Sequence, residues 1–253
     1  MNLNLEGKTA LITGASKGIG FACAMALARE GCDVRLVART LSDLETALER
    51  ILSETNVKVE IFPADLSQSD AVTSLMSENT DIDILVNNAG AIPVGFIHQV
   101  DEATWRESWD LKVFGYINMC RAAYTNMMNN GGGVIINVIG VGGEKPTAGY
   151  IAGGAGNAAL MALTRGLGAT SSRHGIRVVA INPGQIHTER LETMLRAAAV
   201  DRFGDEDRWQ ELLDSRYPPG EPARIGDMAA FLASDLSAFT TGTIITVDGG
   251  AAS

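Results

Sequence analysis

"TALITGASKGIGFACAMALA", residues 9–28, is the stretch that decides the fold. An apolar run rich in strand formers ends at Thr13, and an alanine-rich helical run starts near Gly18. Gly14, Gly18 and Gly20 lie at the junction, with Ser16, Lys17 and Ile19 between them. Glycines there permit a tight turn and close approach of a pyrophosphate to the backbone. They also leave amides free at the start of a helix. The spacing is G-x-x-x-G-x-G, not the more general G-x-G-x-x-G. An ordinary glycine turn is the plain alternative, but its place between strand and helix points to a dinucleotide.

The same alternation runs outward from this turn. "KTALIT", "DVRLVA", "VKVEIF", "DIDILVNN", "GVIINVI", "IRVVAIN" and "TGTIITV" read as seven buried strands. Helical periodicity fills 18–30, 41–54, 101–128 and 150–170. Strand and helix in turn imply an α/β fold, a doubly wound parallel seven-stranded sheet with helices on both faces. No linker or repeat divides the chain, so 1–253 reads as one domain. Residues 185–225 form a long insertion between the last two strands, with short helices expected near 188–202 and 205–215. Leu191, Met194, Leu195, Phe203, Trp209, Leu212 and Leu213 would make it an apolar substrate lid.

Composition excludes several function classes. The net charge of −10 argues against nucleic acid and against anionic membrane surfaces as partners. No apolar run approaches the roughly 20 residues of a membrane span, and the N-terminus does not read as a signal peptide. Cys23, Cys32 and Cys120 form no paired framework, which suits a cytoplasmic location. His98, His174 and His187 show no ligand spacing, so no metal is expected.

The second strand ends at Ala38 and Arg39, where NAD sites usually carry an acid for the ribose hydroxyls. With Lys17 in the glycine turn, two cations and no acid favour a 2′-phosphate. The cofactor is therefore read as NADP, with NAD as the alternative.

"TGASKGIG" at 13–20, "DL" at 65–66, "NNAG" at 87–90, "INPG" at 181–184 and "TVDGG" at 246–250 occur together in that order. With these motifs the chain resembles the short-chain dehydrogenase/reductases over nearly its whole length. The resemblance implies a Rossmann-type sheet, a nicotinamide cofactor, a small-molecule substrate and a homotetramer, with a dimer as the smaller option. It implies roles as well. Asp65 beside Leu66 would accept from the adenine amino group. Asn88, with Ala89 and Gly90, would support the cofactor strand. Pro183 and Gly184 would lie near the nicotinamide, and Thr188 would reach its carboxamide.

The family's Asn–Ser–Tyr–Lys set is broken here. Tyr150 is present, but the lysine four residues on, which would share its helix face, is Gly154. Gly140 stands where the serine belongs, and Thr147 is the nearest other hydroxyl. The asparagine position in "KVFG" (112–115) holds Lys112, in a stripe with Trp105, Trp109, Tyr116 and Met119. One reading moves the catalytic cation to Lys112, with Gly153 and Gly154 leaving room for its side chain. The other is that these glycines only allow close helix contact.

The expectation is an NAD(P)-dependent oxidoreductase that interconverts a carbonyl and a secondary alcohol on an apolar or aromatic small molecule. Tyr150 and Lys112 are the catalytic pair, and Tyr150 also contacts the cofactor. Two alternatives stay open on the same fold: a cofactor-binding lyase, dehydratase or isomerase, and a non-catalytic nucleotide-binding protein.

Overall fold

Every expected strand forms in the computed structural model, which describes residues 2–252. The order is β1 (Thr9–Thr13), α1 (Gly18–Arg29), β2 (Asp33–Ala38), α2 (Leu41–Glu54), β3 (Val59–Pro63), α3 (Ser69–Glu78) and β4 (Ile84–Asn87). There follow α4 (Glu102–Trp109), α5 (Gly115–Asn130), β5 (Gly133–Val138), α6 (Ile151–Ser171) and β6 (Ile176–Pro183). The chain continues through α7 (Glu189–Phe203), α8 (Pro222–Ala233) and β7 (Ile244–Val247). The sheet is parallel throughout, in the order β3-β2-β1-β4-β5-β6-β7.

Alternate strand residues feed two cores, which is why the strands are apolar without interruption. Ile12, Leu36, Val86 and Ile136 face α1, α2 and α8. Leu11, Val37, Leu85 and Ile135 face α3 and α5 on the other side. The strand order reverses between β1 and β4, and a ligand crevice is expected beyond the strand ends there. Both the glycine turn and the "NNAG" segment open onto that point.

Three sequence expectations need correction. Residues 101–128 are not one regular helix, because Asp110–Phe114 is a π-helical turn between α4 and α5. It turns both Lys112 and Val113 inward. The insertion at 185–225 also overshoots, since 222–225 already belong to α8. That helix is core: Ile225 is fully buried, and a Cβ on Gly226 would come within 2.4 Å of Ala22 O on α1. Residues 206–212, expected as a short helix, form a 3-10 segment.

Candidate active site

A cleft of about 1240 Å³ lies at the carboxyl ends of the strands. Gly14, Ser16, Lys17, Gly18 and Ile19 line one end of it, with Arg39 and Leu66 nearby. Asn88, Ala89, Gly90, Lys112 and Tyr150 line the middle, and Pro183, Gly184 and Thr188 the far wall. Two expected site residues do not reach it. Gly20 sits behind the turn, where a Cβ would be 2.1 Å from Gly14 O, so glycine is required for the turn itself. Asp65 turns back on its own loop, accepting from Ser67 N at 3.1 Å and Ser67 Oγ at 2.9 Å.

The glycine turn fits a phosphate. Gly14 and Gly18 have φ of +64° and +59°, in the left-handed region glycine occupies without strain. Lys17 precedes α1 without capping it, and the first turn of α1 carries no acid. The helix thus places no carboxylate of its own at its positive end. Asn88 holds the turn in place: its Nδ2 donates to Thr13 O at 3.1 Å and Gly14 O at 3.2 Å. Lys17 is not free, since its Nζ lies 2.8 Å from Glu189 Oε2 at the start of α7. Arg39 has no ion pair among the described residues. Thr188 caps α7, accepting from Leu191 N at 3.2 Å, while its hydroxyl donates to Ile186 O at 3.3 Å.

Tyr150 lies at the entry to α6 with its ring folded over the helix's first turn. A Cβ on Gly153 would fall 2.0 Å from its Cζ. Gly153 therefore makes room for Tyr150 itself. Gly154 faces the loop before the helix, where a Cβ would meet Gly142 O at 3.0 Å and Pro146 Cβ at 3.3 Å. Gly156 lets α6 approach Val113 and Trp109. The idea that Gly153 and Gly154 admit Lys112 is thus wrong. The residue that admits it is Gly90, whose Cβ would lie 2.4 Å from Lys112 Cδ.

Lys112 is buried on the cleft floor. Its Nζ donates to Tyr116 Oη at 3.2 Å, Val138 O at 3.1 Å and Ile139 O at 3.2 Å. Three acceptors match the three N–H groups of an ammonium. Against them, burial and then the like charge of Arg190 pull the amine down to about 7. Lys112 therefore holds its proton less firmly than an exposed lysine does.

Arg190, on the first turn of α7, went unnoticed in the sequence. Burial raises the Tyr150 phenol, and the Arg190 guanidinium, through charge and hydrogen bonding, draws it back. Arg190 Nη2 is also anchored to Ile92 O at 2.8 Å. Replacing Arg190 with methionine should raise the Tyr150 phenol further and move any alcohol-oxidising activity to higher pH. Tyrosinate absorbance, with Tyr150→Phe as the subtraction, reads the first effect directly. An unchanged titration in Arg190→Met would remove Arg190 from the site.

Three comparisons bear on this site. Residues 8–198 match the short chain dehydrogenase family model. The chain is 33% identical to the 2-keto-3-deoxy-L-fuconate dehydrogenase of Xanthomonas campestris pv. campestris, over 98% of this chain and 81% of that one. It is 31% identical to the gluconate 5-dehydrogenase of Gluconobacter oxydans, over 98% and 95%. Among solved structures, L-sorbose reductase from Gluconobacter frateurii, in complex with NADPH and L-sorbose, superposes with a TM-score of 0.91 at 29% identity, covering 99% of this chain and 98% of that one. With the family model matched over most of its length and the fold shared with the reductase, the chain belongs to the short-chain dehydrogenase family of NAD(P)-dependent oxidoreductases.

Proposed function

We propose that this chain binds NADP and interconverts a carbonyl and a secondary alcohol, with Tyr150 as general acid/base and Lys112 as the buried cation. The observation that carries the reading is that the Tyr150 phenol and the Lys112 amine line the same cleft as the glycine turn. The nicotinamide, when bound, supplies or accepts the hydride at the substrate carbon. In reduction Tyr150 passes its phenolic proton to the carbonyl oxygen. Arg190 tempers the phenol, and Lys112 holds or releases a proton at the carbonyls that end β5. Lys17 and Arg39 favour the 2′-phosphate, Asn88 supports the turn, and Thr188 faces the nicotinamide end.

Ile92, Val141, Leu191 and Met194 give the cleft an apolar wall, which supports an apolar or aromatic substrate. Leu195, Phe203, Trp209, Leu212 and Leu213 do not line it, so of the expected lid side chains only Leu191 and Met194 face the cleft. Arg190 favours a second reading, a substrate with a carboxylate. The names of the fuconate and gluconate relatives point the same way. A homotetramer, or a dimer, is supported by Phe231, Leu236 and Phe239, which stay exposed next to α8 and β7. Three free, buried cysteines support a cytoplasmic location. No helix of the described residues is long and apolar enough to cross a membrane.

The test titrates NADPH and NADH, then follows NADPH oxidation with a panel of ketones and keto acids. NADPH should bind tighter. Tyr150→Phe should lower kcat by about 10²–10⁴-fold with NADPH affinity intact. Turnover that survives Tyr150→Phe refutes the proposal.

A further inference from the structure

Gly140, where the resemblance places a catalytic serine, has φ +128°, which L side chains rarely adopt. The space above it is already taken. A Cβ at Gly140 would lie 3.1 Å from Asn157 Nδ2, an amide that α6 sends back toward β5. Asn157 is only 3% exposed and lines the cleft. Its Nδ2 donates to Gly140 O at 3.3 Å, its single side-chain hydrogen bond among the described residues. Its Oδ1 is buried without a partner.

A primary amide offers two N–H donors and a carbonyl acceptor. Leaving a buried acceptor unpaired costs on the order of 1–3 kcal/mol, so such groups call for a reason. The Nδ2 end of the amide, meanwhile, lies beside the tyrosine. A Cβ on Gly142 would touch Tyr150 Cδ1 at 3.3 Å and Asn157 Nδ2 at 3.7 Å. The tyrosine ring and the amide thus flank one point of the cleft wall.

We infer that Asn157 is the second polar contact to the reacting oxygen, in place of the absent serine. In reduction the free N–H of Nδ2 donates to the carbonyl oxygen that Tyr150 protonates. In oxidation the same N–H donates to the alcohol oxygen while Tyr150, as the phenolate, takes up the hydroxyl proton. The ligand is a neutral ketone or secondary alcohol group. This rests on the oxidoreductase reading above.

Asn157→Asp keeps the shape but loses the N–H donors, and regains one donor, an O–H, only when the carboxyl is protonated. Asn157→Leu keeps the volume without any polar atom. Both are assayed with NADPH and 2,3-butanedione or 1-phenyl-1,2-propanedione, with NADPH affinity measured separately by fluorescence. Both variants retain Tyr150, Lys112, Lys145 and Arg190, and the Leu variant, which adds no charge, gives the reference for their titrations. The expected result is NADPH affinity within about twofold and kcat down on the order of 10²-fold for Leu at every pH. The Asp variant should show the same loss at high pH and recover as pH falls. If the Leu variant does not fold, the pH-dependent recovery of Asp carries the test alone. A deficit in Asp that is flat with pH marks a purely structural role and overturns the inference, as does an unchanged kcat in either variant. If wild type reduces no carbonyl, or Tyr150→Phe reduces as fast, the oxidoreductase reading fails and Asn157 falls with it. Tyr150-dependent reduction that ignores Asn157 overturns this inference only.

Discussion

Gly153→Ala is expected to lower turnover on the order of 10²-fold with only a small net change in stability, because the cost of displacing the Tyr150 ring offsets the helix gain. The added methyl would lie 2.0 Å from Tyr150 Cζ, 2.2 Å from Cε1 and 2.5 Å from Cε2. An aromatic ring cannot bend around it. The ring must swing, and Cζ carries the reacting oxygen. Displacing a catalytic group by about 1 Å costs roughly 10²-fold. The backbone effect has the opposite sign, since alanine inside a helix is favoured over glycine by about 1 kcal/mol. A chain that still melts cooperatively close to wild type, binds NADPH normally and turns over poorly is therefore the signature. Thermal melts, cofactor titration and diketone kinetics on the same preparation read all three. Wild-type turnover would mean that the ring leaves Gly153 in the working enzyme.

Lys112→Met should lower kcat by about 10²-fold or more and abolish a pH limb near 7. It should also change how stability depends on pH, and the sign can be worked out. The folded amine sits at about 7 against an ordinary value of 10.5, because burial disfavours its charge. Between those values the unfolded chain holds a proton that the folded chain has released. Wild-type stability therefore rises with pH across about 7 to 10.5, and the cost of the buried charge is fully present below 7. Methionine keeps the apolar stem over Gly90 and removes the charge. Replacing buried ionic groups by apolar ones of similar volume is often neutral or stabilising by about 1–4 kcal/mol. The melting temperature of the variant should exceed that of wild type most at pH 6 and least at pH 10. Parallel pH curves would show that Lys112 does not titrate in this window.

The fold was legible because its signals are local. Uninterrupted β-branched runs mark strands covered on both sides, and the Gly14–Gly20 turn names the strand that starts the nucleotide half. The π-helical turn at 110–114 leaves no such mark, since one extra residue in a helix changes no composition. Tyr150 and Lys112 stood out because each occupies or breaks a spaced motif. Arg190 did not, because on an amphipathic helix an arginine reads as a solvated charge, and only the docking of α7 brings it to the phenol. Asn157 was the more findable omission. It is a lone amide in the otherwise apolar run "GNAALMAL", and a buried amide needs partners. The glycines of α6 were misread for a plain reason: sequence shows that a Cβ is absent, not which atom fills its place. Here one place is filled by the tyrosine three residues earlier, and another by the loop.

The unequal room at Gly90 and Gly154 makes the two positions unequal hosts for a cation. A lysine at position 112 finds its path open, because Gly90 has no side chain in the way. A lysine placed at position 154 does not, because its Cβ would press on Gly142 O at 3.0 Å and Pro146 Cβ at 3.3 Å. The segment from Gly140 to Thr147 would have to give by a few tenths of an ångström first. Seating a cation on the Tyr150 helix thus takes two changes, the lysine and a remade loop, whereas the neighbouring helix already holds one without either.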